Sequence, residues 1–176
     1  VMDGPGSKQF GHLPEIADLV FADREKIAAI LVLVDAMAAG EFGGEKFAEL
    51  LAKEVVPFID SKYATIADRQ SRSLLGVGFT ADAAIISLAK HPELFSAASA
   101  QSPLLFTEAS ANAIRLMSEI KLPSRVYMEW GRFDMFNPHE NWDLRTMSQT
   151  LFDGFQGNPQ VQVTGGMVND STDWSS

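Results

Sequence analysis

Short apolar runs alternate with amphipathic segments along this chain, and that alternation limits the possible folds more than any other feature. Runs rich in branched residues predict buried strands, and apolar residues at helical spacing predict helices. The predicted strands cover residues 27–34, 73–77, 95–100, 125–130 and 160–165. The predicted helices cover residues 14–21, 45–59, 80–90, 109–120 and Asn137 to about Phe155, the last with Asn137 as its cap. This order indicates an α/β domain with a mainly parallel sheet.

Composition predicts one globular domain over residues 1–176, since 46% of the residues are apolar and 21% are charged. Basic residues number 14 and acidic residues 23, a net charge of −9, so we expect no nucleic-acid partner. The longest apolar run, 27–34, has 8 residues, far below the roughly 20 that span a bilayer. We therefore expect no membrane partner, and the absence of a signal-peptide pattern favours a cytoplasmic location.

The chain has no cysteine, which excludes disulfides, thiol catalysis and cysteine-based zinc sites. His12, His91 and His139 are too scattered to suggest metal ligands, so we expect neither metal nor cofactor. The chain begins inside a strand pattern and ends on a polar segment, so we expect elements to be missing at each end. The edge this would leave beside strand 27–34 favours a homo-oligomer or a larger parent chain.

The segment from Leu74 to Ala84 joins a predicted strand to a predicted helix and is open to two interpretations. In one, Gly76-x-Gly78-x-x-Ala81 is a dinucleotide fingerprint and the chain a nucleotide-binding module. That site requires an acidic residue after the next strand, where the chain has Gln101 and Ser102. In the other, residues 76–80 form the strained strand-to-helix turn that carries a nucleophile in G-x-S-x-G sequences, with two residues replaced.

Several blocks in order along the chain resemble the esterase family of α/β-hydrolases, which includes enterochelin (ferric siderophore) esterases and relatives of S-formylglutathione hydrolase. The blocks are residues 2–4, 29–35, 47–60, 68–69, 91–95, 101–102 and 130–134. The resemblance implies an α/β-hydrolase core with helices on both faces of the sheet, without the first strands and the last helix. It also implies carboxylic-ester hydrolysis and a small ester or siderophore-like ligand.

The catalytic triad that the resemblance implies is incomplete in this chain. Asp134, in Gly-Arg-Phe-Asp, matches the acid; Gly78 stands at the nucleophile position and Thr172 at the base position. The oxyanion amides would come from the turn at Gly4 and from Phe79. We therefore expect a chain that is inactive as an esterase, and we leave open whether it is a natural non-catalytic homologue or an altered form of an active one.

Two residues could substitute for the missing groups, although each has an ordinary structural explanation. Ser102 follows a strand, where turn residues are common, and His139 lies near a predicted helix start. Asp134 could equally cap a turn. A binding or structural domain of a larger assembly therefore remains an alternative to an esterase. If the esterase interpretation is right, Gly78 should have a positive φ, and Asp134 and Thr172 should lie at its edge of the sheet.

Overall fold

Parallel strands form the central sheet of the protein. The computed structural model describes residues 1, 4–9, 11–22, 29–35, 44–104, 107–137 and 142–170. The strands are β1 (Ser73–Val77), β2 (Ala97–Gln101), β3 (Ser124–Gly131), β4 (Phe136–Asn137), β5 (Trp142–Asp143) and β6 (Val161–Val168). The sheet has the order β1-β2-β3-β6 with every pair parallel, whereas β4 and β5 form a separate antiparallel pair. The predicted α/β class with a mainly parallel sheet is confirmed.

Helices precede and connect the strands. They are α1 (Gly4–Gln9), α2 (Leu13–Ala22), α3 (Glu45–Leu50), α4 (Val56–Lys62), α5 (Phe79–Lys90), α6 (Thr107–Ser118) and α7 (Leu144–Phe155). A π-helical turn, Leu51–Val55, joins α3 to α4, just before Pro57, which has no N–H to continue the regular α-helical pattern. None of the described helices has the length and hydropathy that crossing a membrane requires.

The core lies between one face of the sheet and helices α3, α5, α6 and α7. Val126, Met128 and Trp130 alternate along β3 and are at most 1% exposed, and the Trp130 ring packs against Phe152 of α7 with centroids 5.5 Å apart. Tyr127, on the opposite face of β3, is 41% exposed. This period-2 burial directs one set of side chains towards the helices, and the parallel direction of the strands brings their carboxyl ends together at one edge of the sheet.

The prediction of a buried strand at 27–34 is wrong for the described residues 29–34, which form no regular strand. Their described pairing is with Val1, whose amino group donates to Val32 O at 2.8 Å and whose carbonyl accepts from Val34 N at 2.9 Å. Ile30 is 48% exposed. An apolar run becomes a buried strand only where neighbours cover it on both sides, which these contacts do not provide.

The prediction that the last helix begins at Asn137 is also wrong, because Asn137 belongs to β4. Helix α7 begins at Leu144, and Asp143 is its cap. Asp143 Oδ1 accepts from the amides of Arg145 at 3.2 Å and Thr146 at 3.3 Å, which satisfies two of the amides that a helix start leaves unpaired.

Candidate active site

The turn between β1 and α5 is tight and depends on two glycines with different roles. Gly78 has φ +57° and ψ −125°, outside the regions that residues with a Cβ favour. A Cβ atom at Gly78 would meet no described atom within 4 Å, whereas one at Gly76 would lie 2.1 Å from the Thr80 carbonyl oxygen. The positive φ expected at Gly78 is therefore present, and Gly76 lets the helix approach the strand.

The hydroxyl of Thr80 closes this turn. Thr80 Oγ1 donates to Val77 O at 2.9 Å and accepts from Val77 N at 3.0 Å, and the residue is 4% exposed. A single buried side chain thus satisfies both main-chain polar groups of Val77, the last residue of the strand. The turn is fixed by these contacts.

We expect Thr80→Val to lower the free energy of unfolding by about 2–3 kcal/mol, because the isosteric valine leaves two buried main-chain groups without a partner. Urea unfolding measures the change. Thr80→Ser is the matched control, since it keeps the hydroxyl and should retain most of the stability. Equal stabilities for the two variants would contradict this role of the hydroxyl.

Ser102 follows β2 and lies beside the Gly78 turn. Gly78 N donates to Gln101 O at 2.8 Å, and Leu104 N donates to Gly78 O at 3.4 Å. Ser102, between these two contacts, is 2% exposed and has φ +45°, which is uncommon for a residue with a side chain. The segment after β2 is therefore fastened to the turn after β1.

Asp134 follows β3 and contacts Ser102. Its carboxyl oxygen Oδ2 accepts from Ser102 Oγ at 2.5 Å and from Gly131 N at 2.7 Å, and the residue is 5% exposed. Because β1, β2 and β3 are parallel, Gly78, Ser102 and Asp134 all lie at the carboxyl edge of the sheet. This is the edge at which ligands bind in open α/β sheets.

The structure locates only some of the other residues singled out in the sequence. Thr172 and His139 lie outside the described residues, so their roles remain predictions. Phe79 begins α5 directly after Gly78 and is 36% exposed. Gly4 begins α1, and its assignment to an oxyanion site also remains a prediction.

Asp82 is a buried acid that sequence reasoning did not single out. It lies in the first turn of α5, is 9% exposed, and its Oδ1 has no hydrogen-bond partner among the described residues. Burial raises the pKa of this carboxyl well above its usual value, because desolvation disfavours the charged form. The sequence feature that could have identified this buried acid is its position inside the otherwise apolar stretch 81–86.

An open groove of about 350 Å³ lies beside the ends of β3 and β6. Trp130 and Met167 line it from the sheet, and Asp143, Arg145 and Thr146 line it from the start of α7. The Arg145 guanidinium lies over the Phe136 ring, 5.8 Å from its centroid. In the described part of the chain, no group of three or more His, Asp or Glu side chains could hold a metal ion.

A family model described as "Putative esterase" matches residues 23–164, which include the Gly78 turn, Ser102 and Asp134. The chain belongs to this esterase family. Membership agrees with the resemblance drawn from the sequence blocks, and it accounts for the order in which strands, turns and polar residues follow one another.

Solved structures of esterases share the fold. The chain is similar to an enterobactin esterase from Shigella flexneri bound to enterobactin, with a TM-score of 0.78, 16% identity, and coverage of 98% of this chain and 46% of that one. It is also similar to a ferulic acid esterase, with a TM-score of 0.66, 15% identity, and coverage of 97% of this chain and 74% of that one. An S-formylglutathione hydrolase from Agrobacterium tumefaciens is similar with a TM-score of 0.54, 17% identity, and coverage of 72% of this chain and 51% of that one. The chain thus spans about half the length of two of these esterases, and the predicted α/β-hydrolase fold is confirmed.

Proposed function

We propose that this esterase-family chain binds a small carboxylic ester at the carboxyl edge of its sheet without hydrolysing it. The observation that carries the proposal is Gly78, a residue without a side chain at the tip of the β1–α5 turn. Its φ of +57° matches the strained turn on which α/β-hydrolases hold their nucleophile. Glycine in that place removes the atom that would attack the ester carbonyl.

The acid position supports the same proposal. Asp134 is buried and fixed by two hydrogen bonds at the same edge as Gly78, as the acid of a serine hydrolase triad would be. Thr172 stands at the base position of the sequence, and a threonine hydroxyl does not act as a general base near neutral pH. The acid is thus kept, and the nucleophile and base are replaced.

The ligand class comes from the relatives. An enterobactin esterase of the same fold was crystallised with enterobactin and with 2,3-dihydroxy-N-benzoyl-serine, so we propose a small ester or a siderophore-like ester as the ligand here. The absence of a side chain at Gly78 leaves room at the turn, since no described atom lies within 4 Å of its Cβ position.

We expect any hydrolysis of p-nitrophenyl butyrate and enterobactin by the chain to stay at the residual level of a site without a nucleophile or a general base, close to the matched buffer blank. Enzymes that have lost triad members keep a residual acceleration of roughly 10³–10⁴ over water, so long incubations and a heat-treated sample are needed as controls. Turnover abolished by a fluorophosphonate would contradict the proposal. Binding is tested separately by thermal unfolding, because ligand at a hundred times its Kd stabilises a protein by about 2.7 kcal/mol.

A further inference from the structure

Ser102 has a backbone conformation that its own side chain disfavours. Its φ of +45° lies in the left-handed region, where a non-glycine residue is retained only when its surroundings hold it there. The residue is 2% exposed and directly follows β2 at the carboxyl edge of the sheet. Strained residues of this kind cluster at functional sites.

The contacts of Ser102 identify what holds it. Its amide donates to Glu129 O at 2.7 Å, and its hydroxyl donates to Asp134 Oδ2 at 2.5 Å. The preceding carbonyl, that of Gln101, accepts from Gly78 N at 2.8 Å. The segment from Gln101 to Leu104 is therefore bonded to the turn after β1, and within it the Ser102 hydroxyl binds the acid after β3.

These contacts do not suit a nucleophile. A nucleophilic serine must reach the substrate and give its proton to a base, whereas Ser102 is buried and bonded to the carboxyl group of Asp134. We propose instead that Ser102 is a positioning residue, whose hydroxyl fixes the carboxylate of Asp134 against the Gly131 amide. The inference rests on the proposed function, in which Asp134 stands at the acid position.

Two donors on one oxygen restrict how the carboxylate can turn. Gly131 N–H and Ser102 O–H both bind Asp134 Oδ2, and hydrogen bonds to a carboxylate are about twice as strong as neutral ones. A triad acid works by holding the base in one orientation. A carboxylate that is itself fixed therefore holds the base more rigidly than one that can rotate. Ser102 would supply this restraint from a neighbouring strand.

Amide hydrogen exchange at Gly131 tests the inference in the chain as it is. We expect Ser102→Ala and Ser102→Gly each to raise Gly131 exchange at least about tenfold, the factor that loss of a hydrogen bond to a charged group implies. Glycine relieves the strain at φ +45° and alanine does not, so a shared effect belongs to the hydroxyl. The Val126 amide in the middle of β3 is the control for global stability.

An unchanged Gly131 rate in both variants would overturn the inference, as would equal acceleration at Gly131 and Val126. Stoichiometric fluorophosphonate labelling of Ser102 would also overturn it, because the residue would then be a nucleophile.

A kinetic readout separates positioning from folding. In a chain that carries Gly78→Ser and Thr172→His, we expect Ser102→Ala to lower kcat at least about tenfold with KM changed less than about threefold, the pattern of an interaction that matters in the transition state. A loss of kcat/KM of the same size that comes entirely from a raised KM, with kcat unchanged, would overturn the inference. If the doubly substituted chain is folded but shows no turnover, the assignment of Thr172 to the base position fails, and the Gly131 exchange rates alone decide the role of Ser102.

Discussion

A chain that carries Gly78→Ser together with Thr172→His is expected to hydrolyse p-nitrophenyl butyrate on the order of 10²–10⁴ times faster than the unsubstituted chain, the contribution of a positioned general base. Asp134 already lies buried at the edge of the sheet where the serine would stand. The two substitutions would therefore complete a nucleophile, base and acid in the roles of a serine hydrolase.

The turn can accept the serine at a moderate energetic cost. A Cβ atom at Gly78 has no described neighbour within 4 Å, so the cost is that of holding a non-glycine residue at φ +57°, about 1–3 kcal/mol. Urea unfolding of Gly78→Ser measures that cost, and the folded fraction obtained from it corrects the rates.

The control variants are Gly78→Ala with Thr172→His, which has the backbone strain but no nucleophile, and each single substitution. We expect all three to hydrolyse the ester no faster than the unsubstituted chain, because residues of a triad act as a unit. Activity in the alanine variant would show that water or another group attacks the ester. A stable but inactive double variant would contradict the assignment of Thr172 to the base position.

Arg69→Met is expected to lower the free energy of unfolding by about 3–4 kcal/mol, since it removes a charged group that donates several hydrogen bonds, most of them partly buried. Arg69 Nε donates to Pro92 O at 2.6 Å, and Nη2 lies 3.2 Å from both Phe95 O and Pro123 O and 3.3 Å from Ser124 Oγ. One guanidinium thus joins the turn before β1 to the segments that enter β2 and β3. Methionine keeps most of the length of the side chain and none of its donors.

Chemical denaturation monitored by tryptophan fluorescence gives the change for Arg69→Met. Arg69→Lys should recover only part of the loss, because an ammonium group cannot reproduce the planar fork of donors. Arg125→Met on exposed β3 surface is the control and should stay within about 0.5 kcal/mol of the parent chain. A loss in Arg69→Met no larger than in Arg125→Met would show that these hydrogen bonds contribute little. Arg69 lies at the edge of the sheet opposite to that of Gly78. We therefore expect Arg69→Met to change stability and to leave ligand binding at the Gly78 edge unchanged.

Local sequence determined the class of the fold and most of its elements. Segments 73–77, 80–90 and 109–120 have a periodicity that one kind of secondary structure satisfies, and β1, α5 and α6 lie there. Gly76 and Gly78 predicted the strand-to-helix turn, because a side chain at Gly76 would clash with the Thr80 carbonyl and the positive φ at Gly78 favours glycine. The sequence blocks also identified the esterase family. The run 27–34 shows the limit of this reasoning, since hydrophobicity records that a segment can be buried and does not say which neighbour pairs with it.

Only the tertiary structure decided which polar groups meet. Ser102 and Asp134 are 32 residues apart, and Arg69 contacts carbonyls 23 to 54 residues away. Such pairs form because parallel strands bring the segments before and after them to two common edges of the sheet, and strand order and register are set by packing over the whole domain. Periodicity reports the neighbours of a residue along one helix or strand, whereas a hydrogen bond between loops depends on where three strands end together.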